Sequence, residues 1–212
     1  MKSKILLLVA TYFCLAFSSH AQIKTGRYLL GGSGNYYNTS NPTQVSFYTN
    51  VQVGKVLNNN TVIGLTGTYS SNNFNSSYTS PPKTRLYYAG FFYRKYKPIL
   101  NKFYFFGEVN ASYSYSKYIL EYYNNNQGLK SKSSGVNLSF IPGISYNVWK
   151  RMQMELTLPS LANISYTRTT TIDSSLPPSV SPQKRNTYTA GINLNSNILS
   201  NFAIGFKFFV GK

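Results

Sequence analysis

Gln44-Val45-Ser46-Phe47-Tyr48-Thr49-Asn50-Val51-Gln52-Val53-Gly54 is the stretch that decides the fold. Val45, Phe47, Thr49, Val51 and Val53 alternate with Ser46, Tyr48, Asn50, Gln52 and Gly54, and a period of two belongs to a strand with one apolar and one polar face. The alternation recurs along the chain. Over 103–117 it sets Phe103, Phe105, Val109, Ala111, Tyr113 and Tyr115 against Tyr104, Glu108, Asn110, Ser112, Ser114 and Ser116. Over 134–148 it sets Val136, Leu138, Phe140, Ile144, Tyr146 and Val148 against Asn137, Ser139, Ser145 and Asn147. Over 152–168 it sets Met154, Leu156, Leu158, Ala162, Ile164 and Tyr166 against Glu155, Thr157, Asn163, Ser165 and Thr167. Residues 26–37, 61–70 and 85–96 are weaker candidates, the last too aromatic on both faces to orient.

Residues 187–210 read either as two strands split near 198–201 or as one. Parity argues for one long strand, bulged near 196–201. Ile192, Leu194, Ile198, Phe202, Ile204, Phe206 and Phe208 all have even numbers, and a tight turn has no reason to keep that phase. The count is then eight. Short links at 58–60, 97–101 and 149–151 alternate with longer ones at 38–43, 71–84, 119–132 and 170–186, as in a transmembrane barrel with tight periplasmic turns and longer outer loops. A sheet in lipid must have no open edge and must turn its apolar face outward, which closure achieves. The sequence thus predicts an all-β fold, an eight-stranded antiparallel up-and-down transmembrane β-barrel. Ser, Thr, Asn and Tyr fill its interior, and rings such as Tyr36, Tyr37, Phe103, Tyr113, Tyr115, Trp149, Tyr166 and Tyr188 form the interfacial girdles.

Composition points the same way. Charged residues are 12% of the chain and aromatics 17%, whereas a soluble domain carries about a quarter charged residues. Mean hydropathy is nevertheless negative, so apolar and polar residues are interleaved rather than blocked. A soluble secreted β-sandwich or lipocalin-like binding protein is the competing architecture; it would turn the apolar face inward.

At the N-terminus Lys2 and Lys4 precede an apolar run from Ile5 to Phe17, and the small residues Ser19 and Ala21 follow. Residues 1–21 read as a signal peptide cleaved before Gln22, leaving 22–212 as the barrel domain. Cleavage removes His20 and Cys14, the only histidine and cysteine. With them go the side chains behind most acid-base, nucleophilic and transition-metal chemistry. Lipidation of Cys14 fits poorly, because Tyr12 and Phe13 stand where lipoprotein cleavage needs small residues. No Gly-x-Ser-x-Gly elbow, phosphate loop, zinc spacing or calcium loop is present. Glu108, Glu121, Glu155 and Asp173 are the only acids. No catalytic residue, cofactor or metal ligand is expected, and the protein is read as no enzyme.

A formal net charge of +17 asks for anions. Lys83, Arg85, Lys130, Lys132, Lys184 and Arg185 fall in or beside the outer loops, where lipopolysaccharide phosphates and acidic sugars lie. Lys97, Lys102, Lys150 and Arg151 fall at the periplasmic turns. The bland meaning is a set of solvated interfacial charges with no specific ligand. Nucleic acid is discounted, since the cations are scattered and the chain is exported. Inside the barrel, Arg27, Glu155 and Lys207 share the inward parity near the periplasmic end and are expected to approach one another. Glu108 lies in the same polar interior. A buried carboxylate needs such neighbours, and the cluster reads as a plug in preference to an ion path.

The chain resembles the small outer-membrane β-barrels of the OmpX and OmpA membrane-domain kind, and the barrel family common in the Bacteroidota. The resemblance rests on Ala21-Gln22, on the long strand carrying Leu158-Pro159-Ser160-Leu161, and on Gly205-Phe206-Lys207-Phe208-Phe209. One departure is that Val210-Gly211-Lys212 follow the final aromatic residue. The resemblance implies a monomer in the bacterial outer membrane with a structural or surface-interaction role. Its partners would be outer-membrane lipid, lipopolysaccharide and, during biogenesis, the barrel-insertion machinery. A narrow channel or transport accessory is the second reading.

Overall fold

The period-two segments pair in antiparallel ladders that close on themselves. The computed structural model describes residues 23, 25–40, 43–58, 60–74, 82–121, 128–173, 182–192 and 202–211, so the signal-peptide reading falls outside the described residues. In chain order the strands are β1 (Tyr28–Ser40), β2 (Thr43–Asn58), β3 (Thr61–Phe74), β4 (Lys83–Leu100), β5 (Phe103–Glu121), β6 (Gly128–Trp149), β7 (Met152–Thr157), β8 (Ala162–Asp173), β9 (Gln183–Ile192) and β10 (Ala203–Val210). β1 to β6 pair in sequence order; β6 pairs with both β7 and β8, β8 with β9, β7 with β10, and β10 returns to β1. β7 and β8 are two halves of one stave, and β9 and β10 lie along the next. The result is a closed, all-β, antiparallel barrel of eight staves.

The seventh stave is interrupted where the sequence reads Leu158-Pro159-Ser160-Leu161. Proline has no amide hydrogen for the ladder, and the flanking amides bond β6: Leu158 N–H to the Pro142 carbonyl (3.0 Å) and Leu161 N–H to that of Phe140 (2.9 Å). Gly143 pairs with Thr157 and Phe140 with Ala162, so the bulge takes in an even number of extra residues and the inside-outside phase survives. On the last stave residues 193–201, where the bulge is expected, lie outside the described residues. Tyr188 and Ile192 before them, and Ile204, Phe206 and Phe208 after them, all face outward on even numbers.

Strands run further than the alternation suggests. Ser40 pairs with Thr43, β3 reaches Phe74, β5 reaches Glu121 and β8 reaches Asp173. Hydroxyl pairs keep these upper ladders together, Ser133 with Thr169 at 2.8 Å and Ser131 with Thr171 at 3.3 Å. Two-residue links follow β2, β4 and β6 at the other end; the link after β1, expected to be a longer loop over 38–43, is equally short at 41–42, and the longer stretches follow β3, β5 and β8. The link after β2 places Asn60 at φ 70°, a left-handed conformation that asparagine tolerates better than most residues.

Which face is which is unambiguous. Val51, Val53, Leu65, Phe91, Val136, Ile164 and Phe206 are among the large apolar side chains exposed on the outside, while Asn50, Gln52, Thr66, Glu108, Ser139 and Glu155 are buried inside. That arrangement is the reverse of a lipocalin or sandwich core. The segment 85–96, unoriented by sequence, sends Tyr87, Phe91 and Tyr93 outward and buries Phe92, Arg94 and Tyr96.

Candidate functional site

The lumen near the tight-turn end is filled by two layers. The lower one is apolar and aromatic: Leu29, Val56, Val62, Phe92, Tyr96, Tyr104, Phe106 and Phe209, all buried. Two glycines make room for it. A Cβ on Gly143 would collide with the Phe106 ring, and one on Gly64 with Gly54 and the Phe92 ring.

Above and among these rings sits Arg94 of β4, 2% exposed. Its guanidinium donates Nε–H to Glu108 Oε2 (2.9 Å) and Nη1–H to Glu155 Oε1 (2.7 Å) and Oε2 (2.9 Å). Nη2 bonds Glu108 Oε2 and donates to Gln52 Oε1 at 2.9 Å. Gln52 Nε2 in turn donates to both Glu108 oxygens at 3.1 and 3.0 Å. The Tyr96 hydroxyl accepts from Arg94 (2.9 Å) and donates to Glu155 (3.0 Å). Lys207 Nζ lies 3.7 Å from Glu155 Oε2. The Phe106 ring lies beneath the cation, its centroid 4.4 Å from Arg94 Cζ. Two cations meet two carboxylates, and a fork-shaped donor is the residue suited to bind both at once.

Glu108, Glu155 and Lys207 thus stand in one network, with Arg94 of β4 as its hub. Arg27 takes no part in the ion pairs among the described residues. It precedes β1 at the rim, its Nε is buried without a hydrogen-bond partner among the described residues, and the paired apolar side chains Leu29 and Phe209 lie between it and Lys207, which pairs with Gly31. The hub escaped sequence reading because rings occupy both faces around it. The usable signal was register: Arg94 stands directly opposite Glu108.

Over the network lies a polar cavity of about 460 Å³, reaching Asn35, Tyr48, Thr68 and Tyr88 on the way to the long-loop end. Its wall includes Asn110, Asn137 and Asn163, whose buried Oδ1 atoms have no partner among the described residues and are acceptors that water can satisfy. No group of three or more His, Cys, Asp or Glu among the described residues could hold a metal ion. What the network's geometry displays is charge compensation, Arg94 and Lys207 against Glu108 and Glu155.

The six cations placed by sequence in or beside the outer loops are strand residues. Lys83 and Arg85 lie on β4, Lys130 and Lys132 on β6, Lys184 and Arg185 on β9, all exposed. Backbone pairing extends as far as Lys83 on β4, past Lys130 and Lys132 on β6 and past Lys184 and Arg185 on β9, so these cations stand in rungs instead of loops. Arg185 falls on the lumen side of the alternation and the other five on the outside. Lys97 likewise belongs to β4, while Lys102, Lys150 and Arg151 occupy the tight turns.

Scans against known families and against curated proteins match nothing. Among solved structures the chain is similar to a major outer membrane protein from Thermus thermophilus, with a TM-score of 0.51 and 7% identity over 90% of this chain and 100% of that one. The shared feature is the barrel. At that identity the likeness speaks for the fold alone.

Proposed function

We propose that this chain is an integral outer-membrane barrel, exported and freed of its leader, non-enzymatic and sealed, with a structural or surface-interaction role. The observation that carries the reading is the filled lumen beneath an outward apolar band. Along β5 that band runs from Phe103 to Tyr115. At 3.4 Å per residue and a tilt near 45°, those residues cover roughly 30 Å of the membrane normal, the thickness of the hydrocarbon core. Exposed rings at its margins, Phe103 and Trp149 at one end and Tyr36, Tyr115 and Tyr188 at the other, suit the two interfaces.

Inside, charge balance in the Arg94 network and the apolar layer beneath it leave an ion no favourable path. Planar-bilayer recording of the refolded protein tests the seal. Silence in molar KCl is the expected result, and discrete conductance steps would overturn it in favour of a narrow channel. Retarded or advanced gel mobility of unboiled membrane-extracted protein, relative to boiled protein, tests the barrel in its membrane.

A further inference from the structure

The outward face of the sheet carries an arrangement that the fold does not need. Arg85 of β4 stands directly opposite Lys117 of β5, and Lys117 directly opposite Lys132 of β6. Arg168 of β8, opposite Ser134, is the diagonal neighbour of Lys132. All four side chains are exposed. Like charges directly opposed on neighbouring strands repel across about 5 Å, and here two such pairs run consecutively. The chain has little with which to neutralise them. Of its four acids, Glu108 and Glu155 are engaged in the lumen. Asp173 ends β8 on the lumen side of the alternation, and Glu121 ends β5 four residues beyond Lys117.

Below this row, on the same strands, the outer surface is hollowed into an apolar groove of about 750 Å³. Small residues, Ala89, Ala111 and Ala190, form part of its lining, with the rings of Phe91, Tyr113 and Tyr188 beside them. Ala89 is four residues from Arg85 along β4, roughly 13 Å along the strand. Cations therefore sit where the apolar band ends, and a groove fit for a hydrocarbon chain begins on the same strands beyond the outward Tyr87–Tyr115 pair. A ligand for both must carry phosphate at the membrane surface and acyl chain in the hydrocarbon.

We propose that Arg85, Lys117, Lys132 and Arg168, with the groove below them, form a binding site for a phosphorylated glycolipid of the outer leaflet, its phosphates on the cations and an acyl chain in the groove. The proposal rests on the outer-membrane reading above. The short links at the opposite end of the barrel set the cations on the outer-leaflet side. Long Lys and Arg stems lie along the apolar surface while their heads reach the phosphate layer. Occupancy by phosphate turns the repulsion of Arg85, Lys117 and Lys132 into shared attraction to one anionic group.

The test has two stages. Carbonate washing of membranes and the boiling-dependent gel shift come first; a protein that washes off sinks the membrane reading and this site with it. For the integral barrel in a neutral detergent, native mass spectrometry then follows bisphosphorylated lipid A, the same lipid with its phosphates removed, phosphatidylglycerol and inorganic phosphate. Bisphosphorylated lipid A is expected to bind, and R85Q/K117Q/K132Q to weaken it by at least about tenfold, since each of the three cations attracts the anionic headgroup. Ala111→Trp, which fills the groove, is expected to weaken it too, and K150Q/R151Q at the turn end to leave it unchanged. Equal binding of the dephosphorylated lipid or of phosphatidylglycerol, full competition by millimolar inorganic phosphate, or indifference to the triple substitution would each overturn the proposal while leaving the barrel intact.

Discussion

Arg94 and Glu108 occupy directly opposed positions on β4 and β5, and the same guanidinium reaches Glu155 on β7. One side chain therefore ties two neighbouring staves to a wall reached only through β6 or through the closing strands. Both carboxylates are about 2% exposed, so removing that cation strands buried polar groups that it now binds.

Arg94→Met is expected to destabilise the barrel by about 3–5 kcal/mol, the usual cost of leaving a buried charge uncompensated. Urea titration followed by the fluorescence of Trp149, the single tryptophan, measures it. The triple variant R94M/E108Q/E155Q removes the stranded charges together and should recover much of that loss. A triple variant no more stable than Arg94→Met would show that the network contributes by geometry and not by charge compensation.

Glu155 and Arg27 separate the network from the rim. Glu155→Gln breaks the bonds from Arg94 and Tyr96 and the approach of Lys207, so a loss of about 2–4 kcal/mol is expected. Arg27→Gln, outside the described ion pairs, should stay within about 0.5 kcal/mol of the parent. Comparable losses in the two variants would place Arg27 in the cluster after all.

Eight staves, their phase and the inward carboxylates were legible because alternation is a local property of each segment. Gln52 and Glu155 could be assigned to the lumen from their own neighbours alone. Arg94 could not, since Tyr87, Tyr88, Phe91, Phe92, Tyr93 and Tyr96 put rings on both sides of it, and only the register between β4 and β5 says which face Arg94 joins. Lys117 was hidden for the same reason. Its meaning lies in standing between Arg85 and Lys132, residues 32 and 15 positions away in the chain. Pairing is a long-range fact, and a single sequence carries it only through the turns. The links near 58–60 and 149–151 stand where the sequence put them, whereas β4 runs through Leu100 and leaves only 101–102 of the expected link at 97–101; the upper ladders were likewise read short, because Ser, Thr and Asn continue a strand with no apolar phase to betray it.

Glycine positions in the lumen give a steric prediction. Gly143→Ala drives its Cβ into the Phe106 ring and the Leu156 carbonyl, and Gly31→Ala does the same to the Lys207 side chain. Each should cost about 1–3 kcal/mol, the range for overfilling a packed interior. Gly191→Ala, with nothing within 4 Å of the added carbon, is the matched control and should be neutral. If all three behave alike in urea titration, the lumen is looser than its contacts indicate.

A seal of the kind proposed would divide the lumen into an upper part that solvent reaches and a lower part that it does not, and cysteine scanning reads the division. Cys14 is the only cysteine and lies in the proposed leader, so single-cysteine variants of the exported protein report one site each. Ser112→Cys lines the cavity of about 460 Å³ above the network, whereas Val56→Cys is buried in the apolar layer below it. A membrane-impermeant maleimide added outside intact cells should modify the first and spare the second. Val51→Cys, on the outward apolar face next to Gln52, should resist that reagent too, since a thiol in hydrocarbon does not ionise to the reactive thiolate. Rapid labelling of Val56→Cys from outside would mean that water passes the Arg94 network, and the barrel would then be a conduit and not a sealed wall.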